Sequence, residues 1–539
     1  MERTDKTLII QGGLVIDGSG AKPRPADVLV RAGRVETVAP GGLKAEPVAE
    51  VFQAQGRVVC PGFIDVHAHD DLYLLARPEG EFKIRQGVTT VIGGNCGASP
   101  APVAEEHRPE AEEELKLLGG QELPPEKRCF ADFKSYLAAL DMAGLGLNYA
   151  GLVGQGMIRL AIMGPTDQAP SAEQSDRMRA LLADCLDQGA LGLSLGLIYA
   201  PGAFAGLDEL VDLARVVRSR KGVVSAHIRN EGAGVVGAVE EMISLARQSG
   251  AAVHISHHKI ADPANKGASG RTLELIDRAR QEGLAVSADA YPYRAGSTYL
   301  AAVLPVKALG QGPDKLKRLL KDGSFRAKLR REIETDPLDS WQSLLTGQGE
   351  YRLTIAHCRT RPDYVGRAVA DIAAAEGLTP HDLVFDLVAA EGLGVSMIVH
   401  SMAEEDVRRI LSHPAVMIGS DGIPTLGQGK FHPRLTGTFP WILGRYVRDV
   451  GLMDLTEAVR RMTSLSAETF GLTGKGRLAP GLDADLVVFD PKTINDRSTY
   501  DQPDLSPEGI DLVVVGGSPA LINGRLTGRG QGRAIRRAG

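Results

Sequence analysis

The 539-residue chain has few cysteines, no excess of basic residues and no apolar run of transmembrane length. Its five cysteines are odd in number and none belongs to a Cys-x-x-Cys pair, which argues against a disulfide framework and favours a reducing cytoplasm. A formal net charge of −6 gives no basic footprint for nucleic acid. The N-terminus also lacks the apolar core of a signal peptide, so we expect neither a nucleic acid nor a membrane as partner.

The composition is otherwise that of a soluble globular protein with material for more than one domain. Hydrophobic residues make up 43% of the chain and charged residues 24%, and the 64 glycines predict many tight turns. Short β-favouring runs alternate with helical stretches through most of the chain, a pattern typical of parallel sheets. We therefore predict an α/β fold.

Ten β-favouring runs lie in this alternating region, two more than a TIM-like (β/α)8 barrel contains. One run precedes His67, and the others cover residues 89–96, 147–153, 190–197, 223–229, 252–257, 285–291, 351–358, 395–400 and 416–421. We predict that two of the three runs between residues 285 and 400 lie outside the barrel. A Lys/Arg-rich, helix-like stretch at about 300–350 interrupts the alternation and indicates an inserted subdomain.

The two ends of the chain have a different texture, with short β runs separated by turns. Neither end has enough strands to bury a core alone, so we expect residues 1–58 and 475–539 to pair into one small β-sandwich domain. The (β/α)8 barrel would then occupy residues 59–474. Within it, the polar segment 105–126 indicates a surface excursion or a lid.

The most informative motif is the pair His67 and His69, which follows the first β-favouring run. Side chains alternate across a strand, so both histidines project to the same side and could share one metal ion. Two ordinary surface histidines explain an isolated pair of this spacing about equally well. The other strand ends must therefore decide between the two interpretations.

Other predicted strands also end in possible metal ligands, namely Cys96, His227, His257 and Asp421. Because the carboxyl ends of barrel strands converge on one mouth, we expect these side chains to meet His67 and His69 there. Thiolate, imidazole and carboxylate groups together suit zinc. Taken singly, Cys96 could be a small buried apolar residue and His227 a core histidine. The ordered set favours a metal site.

This ordered set resembles the amidohydrolase superfamily, and its details are similar to those of the N-acyl-D-amino-acid deacylase (D-aminoacylase) family. Residues 61–71 and 475–486 carry the superfamily pattern. The segments more specific to the deacylases are residues 94–97, 227–231, 256–259, 289–293, 419–422 and 432–434. The resemblance covers nearly the whole chain. It implies a zinc-dependent hydrolase that cleaves N-acyl-D-amino acids into a carboxylate and a free D-amino acid.

The resemblance also implies how zinc would be bound. A tightly bound ion would be held by Cys96, His227 and His257, and a second, weaker position would be lined by His67, His69, Cys96 and Asp421. Related enzymes often bridge two metals with a carboxylated lysine or a glutamate from a middle strand. The predicted strands 147–153 and 190–197 contain neither residue. Cys96 is the implied replacement, since a coordinated thiol stays deprotonated at neutral pH.

The resemblance further implies the roles of Asp421 and of the residues around the substrate. Asp421 would act as general base, taking a proton from a zinc-activated water and passing it to the leaving amine, although a plain ligand role is its simpler alternative. The substrate's α-carboxylate would be bound by Lys259, Tyr291, Ser297 and Arg434. Arg434 could grip it bidentately.

Two other functions stay open at this point. A cyclic-amide hydrolase of the hydantoinase or dihydroorotase type shares the superfamily pattern, and a non-catalytic scaffold would share the fold. The missing middle-strand lysine and the segment 94–97 argue against the first, and the retention of every ligand argues against the second. The preference for D over L substrates enters only through the family resemblance.

Overall fold

The computed structural model describes residues 7–44, 49–118, 123–336, 344–425 and 429–537, and this part of the chain contains the predicted (β/α)8 barrel. Its eight parallel strands are Phe63–Asp65, Val88–Gly93, Asn148–Gly151 with its continuation Val153–Gly154, Gly192–Gly196, Val223–His227, Ala252–Ile255, Val286–Ala290 and Val416–Ile418. A parallel bridge between Ala68 and Gly422 joins the first strand to the last, so the barrel closes.

Helices cover the barrel because their apolar residues recur on one face. Leu207–Ser219, for example, buries Leu210, Val211, Ala214 and Val217. The α-helices are Tyr73–Ala76, Glu81–Ile84, Arg108–Glu114, Phe133–Ala143, Gln155–Met163, Ala172–Asp187, Leu207–Ser219, Val235–Ser249, Ser269–Gln281, Val306–Leu309, Pro313–Leu319, Gly323–Thr335, Val369–Glu376, Pro380–Glu391, Glu404–Ser412, Arg434–Trp441, Leu455–Met462 and Ser464–Phe470, with a π-helix at Ile442–Asp449. Within the described ranges, none of the helices combines the length and the apolar character needed to cross a membrane.

The inserted segment carries its own antiparallel sheet of three strands, Ala295–Tyr299, Arg352–His357 and Ser396–His400. The last two are the runs that do not belong to the barrel. Val286–Ala290 and Val416–Ile418 pair directly with each other, so the insertion lies between these barrel strands. It extends beyond the predicted range of 300–350 and has a separate hydrophobic core. Positions 337–343 of that range are outside the described residues.

Strands from both ends of the chain form one continuous nine-stranded sheet within the described residues. These strands are Thr7–Val15, Arg24–Arg31, Arg34–Ala39, Glu50–Gln53, Val58–Pro61, Leu486–Phe489, Ile510–Val515, Ser518–Ile522 and Arg525–Leu526. Val58–Pro61 and Leu486–Phe489 join the two halves as an antiparallel pair. The domain boundaries at 58/59 and 474/475 remain predictions, and Val58–Pro61 crosses the first of them.

The last described strand lies outside this sheet and pairs with a barrel strand. Ala534–Ile535 lies parallel to Asn148–Gly151 and pairs with its middle residues. Of the third barrel strand, only the continuation Val153–Gly154 pairs with the fourth strand, Gly192–Gly196, among the described residues. The C-terminal tail therefore fills the space where the third and fourth barrel strands separate.

The contact between the tail and the barrel leaves no room for a side chain at Gly532, where a Cβ would lie 1.9 Å from the carbonyl oxygen of Leu147. We expect Gly532→Ala to lower the free energy of unfolding by about 1–3 kcal/mol because the tail must shift away from the barrel. The measurement is the unfolding midpoint in guanidinium chloride.

The matched control is Gly237→Ala, whose Cβ meets open space in the helix Val235–Ser249. Alanine is the better helix former, so this variant should be at least as stable as the parent. Equal midpoints for the two variants would contradict a tight contact at Gly532.

Candidate metal centre

Four candidate ligands from four barrel strands meet at the barrel mouth. Single ligand atoms of His67, Cys96, His257 and Asp421 all lie within 4.8 Å of one another, and all four residues are buried. Sγ of Cys96 lies 3.3 Å from Nε2 of His67 and 3.4 Å from Nε2 of His257. They converge because the carboxyl ends of parallel barrel strands face the same side.

Three of these residues adopt left-handed backbone conformations just beyond their strands. The φ angles are +54° at Cys96, +35° at His257 and +51° at Asp421. Residues other than glycine rarely do so, because their Cβ atoms crowd the backbone. Such conformations persist only where the surrounding structure enforces them, and they cluster at functional sites.

The other two predicted ligands, His227 and His69, lie at the edges of this group. The ligand atoms of His227, Glu231 and His257 are within 4.8 Å of one another. Nε2 of His69 lies 3.1 Å from Oδ1 of Asp421. Both ring nitrogens of His227 are buried, and neither has a hydrogen-bond partner among the described residues. Because burying an unpaired polar group is costly, this imidazole is suited to receive a metal ion.

The thiol of Cys96 differs electrostatically from the cysteines buried elsewhere. Burial alone would raise its pKa, but the charges of His67 and His257 outweigh burial and hold the pKa well below its ordinary value. At Cys60 and Cys185, by contrast, burial raises the thiol pKa. Cys96 is thus poised as a thiolate, the form that binds metals.

Asp421 lies between the histidines and a buried arginine. Its Oδ1 is 3.1 Å from Nε2 of His69 and 3.5 Å from Nε2 of His67, and its Oδ2 is 2.8 Å from Nη1 of Arg434. Burial would raise the pKa of this carboxyl, but the charges of Arg434 and His257 hold it well below its usual range. The group is therefore an ionised carboxylate, able to bind a metal ion or to accept a proton.

The four predicted substrate-binding residues line the cavity above the ligands, namely Lys259, Tyr291, Ser297 and Arg434. The guanidinium of Arg434 lies 4.8 Å from the ring centroid of Tyr291, and its Nη2 donates to the carbonyl of Ser297 at 3.1 Å. The hydroxyl of Ser297 instead donates to the carbonyl of Met397 at 3.0 Å. The structure thus holds Arg434 by the backbone of Ser297.

Lys259 also supports one of the candidate ligands. Its Nζ lies 2.5 Å from Oε1 of Glu231 and 2.8 Å from Nδ1 of His257. Our sequence reasoning gave Glu231 no role, although it stands four residues after His227 in a family-like segment. The signal was present, but only the fold brings Glu231 to Lys259.

Asp289 is a second residue to which sequence reasoning gave no role. Its Oδ1 accepts the backbone N–H of His257 at 3.0 Å, and its Oδ2 lies 3.5 Å from Nδ1 of His67 and 2.8 Å from Nε2 of His254. Metal-ligating histidines commonly contact a carboxylate through their second nitrogen, which fixes the ring orientation. Its position in a barrel strand, shortly before Tyr291, was the available signal.

Lys83 is a third such residue, in the short helix Glu81–Ile84. Its fully buried Nζ donates to Oδ2 of Asp65 and to Oγ of Ser420, both at 2.8 Å, and lies 3.3 Å from Asp70. Asp65 precedes His67 by two residues, and Ser420 directly precedes Asp421. Nothing in the local sequence distinguishes this lysine from a surface one.

Five of the six candidate ligands, all except His67, line one cavity together with apolar side chains. The predicted excursion at 105–126, of which residues 119–122 are outside the described ranges, contributes Glu114 and Leu118 to its wall. Tyr199 packs beside the ligands, with its ring centroid 5.0 Å from that of His227. The cavity thus brings candidate metal ligands, the ionised carboxylate of Asp421 and the buried cations Lys259 and Arg434 close to one another.

Known proteins share this organisation over nearly their whole length. The amidohydrolase family matches residues 50–520. An N-acyl-D-glutamate deacylase from Alcaligenes xylosoxydans xylosoxydans is 40% identical over 530 residues, which cover 98% of this chain and 96% of that protein. A D-aminoacylase from the same organism is 38% identical over 532 residues, covering 98% and 97%.

A solved structure is similar to this chain over nearly its whole length. It is that of N-acyl-D-glutamate deacylase from Bordetella bronchiseptica, complexed with zinc and a phosphonate inhibitor that mimics the tetrahedral intermediate of the reaction. It matches with a TM-score of 0.84 at 39% identity, covering 99% of this chain and 100% of that chain. The chain therefore belongs to the amidohydrolase family, within its group of N-acyl-D-amino-acid deacylases.

Proposed function

We propose that this protein is a zinc-dependent hydrolase that cleaves the amide bond of N-acyl-D-amino acids and releases a carboxylate and a free D-amino acid. The observation that carries the proposal is the cavity floor, where the Cys96 thiolate lies 3.3 and 3.4 Å from two histidines next to the paired Asp421 and Arg434. The D configuration is taken from the relatives, because ligand spacing alone does not select it. The cysteines are free and buried, which agrees with a cytoplasmic location.

The residues present fit zinc, which favours tetrahedral sulfur and nitrogen ligands. Cys96, His227 and His257 would hold a tightly bound ion, and His67, His69 and Asp421 would join Cys96 around a second, weaker one. The buried nitrogens of His227, neither of which has a hydrogen-bond partner among the described residues, support its part in the first site. When bound, zinc supplies an activated water and polarises the scissile carbonyl.

Asp421 moves the proton in this mechanism. Its carboxylate is kept ionised by Arg434 and the histidines, so it can take a proton from water and deliver it to the leaving amine. Arg434, supported by Tyr291, Lys259 and Ser297, would bind the α-carboxylate of the substrate. Because the Arg434 guanidinium already contacts Asp421, it places that carboxylate next to the proton acceptor.

The proposed activity is tested with N-acetyl-D-methionine and N-acetyl-L-methionine, following release of the free amine. We expect the D substrate to exceed the L substrate in kcat/KM by at least about a hundredfold. Removal of metal with a chelator should abolish hydrolysis, and zinc should restore it, since zinc would supply the activated water and polarise the scissile carbonyl. No release from the D substrate, or faster opening of a hydantoin ring, would contradict the proposal.

Substitution Asp421→Ala separates proton transfer from zinc binding. We expect kcat to fall by at least about a hundredfold, the usual worth of a general base, while one equivalent of zinc stays on Cys96, His227 and His257. Metal content by elemental analysis and turnover are measured on the same preparation. Loss of this zinc would instead make Asp421 chiefly a ligand.

The substitution Asp289→Asn tests whether the Asp289 carboxylate holds the candidate ligands His67 and His257 in place. We expect zinc affinity to fall by about 10- to 100-fold, because the carboxylate that orients His67 and the His257 backbone becomes a neutral amide. Competition with a chromophoric chelator measures the affinity. The control is Asp277→Asn, since Asp277 is half-exposed and contacts only His413 among the described residues. Unchanged affinity in Asp289→Asn would show that the ligands need no such support.

A further inference from the structure

One wall of the active-site cavity is apolar except for the carboxyl group of Glu114. Leu118, Met157, Ile198 and Tyr299 line the cavity with it. Glu114 is the last residue of the helix Arg108–Glu114, and it also lines a second, smaller cavity. Glu114 thus borders both cavities.

Within the described ranges, no ion pair and no hydrogen bond holds the carboxyl group of Glu114. Burial, together with the neighbouring charge of Glu113, raises its pKa to about 8. Lys317 lines the smaller cavity with it, but is not among the described residues that line the larger one. A carboxylate brought against this wall would meet a second carboxyl group and no cation, which disfavours its charged form.

The lysine and arginine side chains that line the cavity already contact carboxylates of the protein. Among its described lining residues, the only lysine and arginine are Lys259 and Arg434, and each contacts a carboxylate of the protein, Glu231 and Asp421 respectively. These two cations suffice to bind the α-carboxylate that the proposed substrates share. An acidic side chain would add a second carboxylate, for which this enclosure offers no further cation.

The strand Ala295–Tyr299 connects the region of Arg434 with the apolar wall around Glu114. The carbonyl of Ser297 accepts a hydrogen bond from Arg434, and Tyr299 lines both cavities beside Glu114. Residues two apart in a strand lie on the same face and about 7 Å from each other. This spacing suits one amino acid, with its α-carboxylate at Arg434 and its side chain at the apolar wall.

We propose that the wall around Glu114 receives the side chain of the D-amino acid and makes the enzyme reject acidic side chains in favour of apolar ones. The inference rests on the proposed deacylase function and narrows its substrate class. It sets this chain apart from the N-acyl-D-glutamate deacylase to which it is 40% identical. Glu114 acts here as a specificity residue: an acidic side chain beside it would be buried next to a second carboxyl group without a cation, and would be repelled once Glu114 is ionised.

The experiment compares kcat/KM for N-acetyl-D-leucine and N-acetyl-D-glutamate in the zinc-loaded enzyme. We expect the leucine substrate to be preferred by at least about a hundredfold. In Glu114→Lys the glutamate substrate should gain at least about tenfold. In Glu114→Gln, compared with the parent at about pH 9 where the Glu114 carboxyl is ionised, it should gain less, because only the repulsion is removed. Glu106→Lys on the exposed start of the same excursion is the matched control and should change neither value.

Each outcome bears on one of the two proposals. Failure to cleave any N-acetyl-D-amino acid overturns the deacylase function and this inference with it. Cleavage with a preference for the glutamate substrate overturns the inference alone. So does a gain of Glu114→Lys on N-succinyl-D-leucine without a gain on N-acetyl-D-glutamate, since the wall would then face the acyl group. If Glu114→Lys does not fold, an unchanged substrate ratio in Glu114→Gln overturns the inference.

Discussion

A buried ammonium group, that of Lys83, ties the first barrel strand to the last. It donates to Asp65 and to Ser420, and Asp65 also accepts the backbone N–H of Ser420 at 2.8 Å. A buried charge is tolerated only when its hydrogen bonds are satisfied, so this network has one low-energy arrangement. The histidines that follow Asp65 and the carboxylate that follows Ser420 therefore face each other before any metal binds.

Electrostatics and backbone geometry work together at the mouth of the barrel. Cys96, His257 and Asp421 turn out of their strands through left-handed conformations, which bring a thiolate, an imidazole and a carboxylate into one buried cluster. Charges that would be screened in water act strongly there, which keeps Cys96 and Asp421 ionised. A metal ion entering this cluster meets a thiolate and a carboxylate that are already deprotonated and oriented, and it displaces protons from the neighbouring histidines.

The sequence predicted the barrel and proposed the six candidate ligands because β-favouring runs and the residues at their carboxyl ends are local features. The roles of Glu231, Asp289 and Lys83 depend on contacts between distant segments, which no local pattern encodes. The two apolar runs at 352–357 and 396–400 resembled barrel strands because the insertion buries them in a core of its own. The strand Ala534–Ile535 is too short to show any pattern.

That short strand has a consequence for how the protein reaches its native state. The third barrel strand, at Asn148–Gly151, pairs with residues near position 534, and the strand at Val58–Pro61 pairs with residues near 487. Pairings of such sequence separation form slowly, because a long loop must close first. The N-terminal half therefore keeps open strand edges until the residues near 487 and 534 are available for pairing, and such edges favour aggregation.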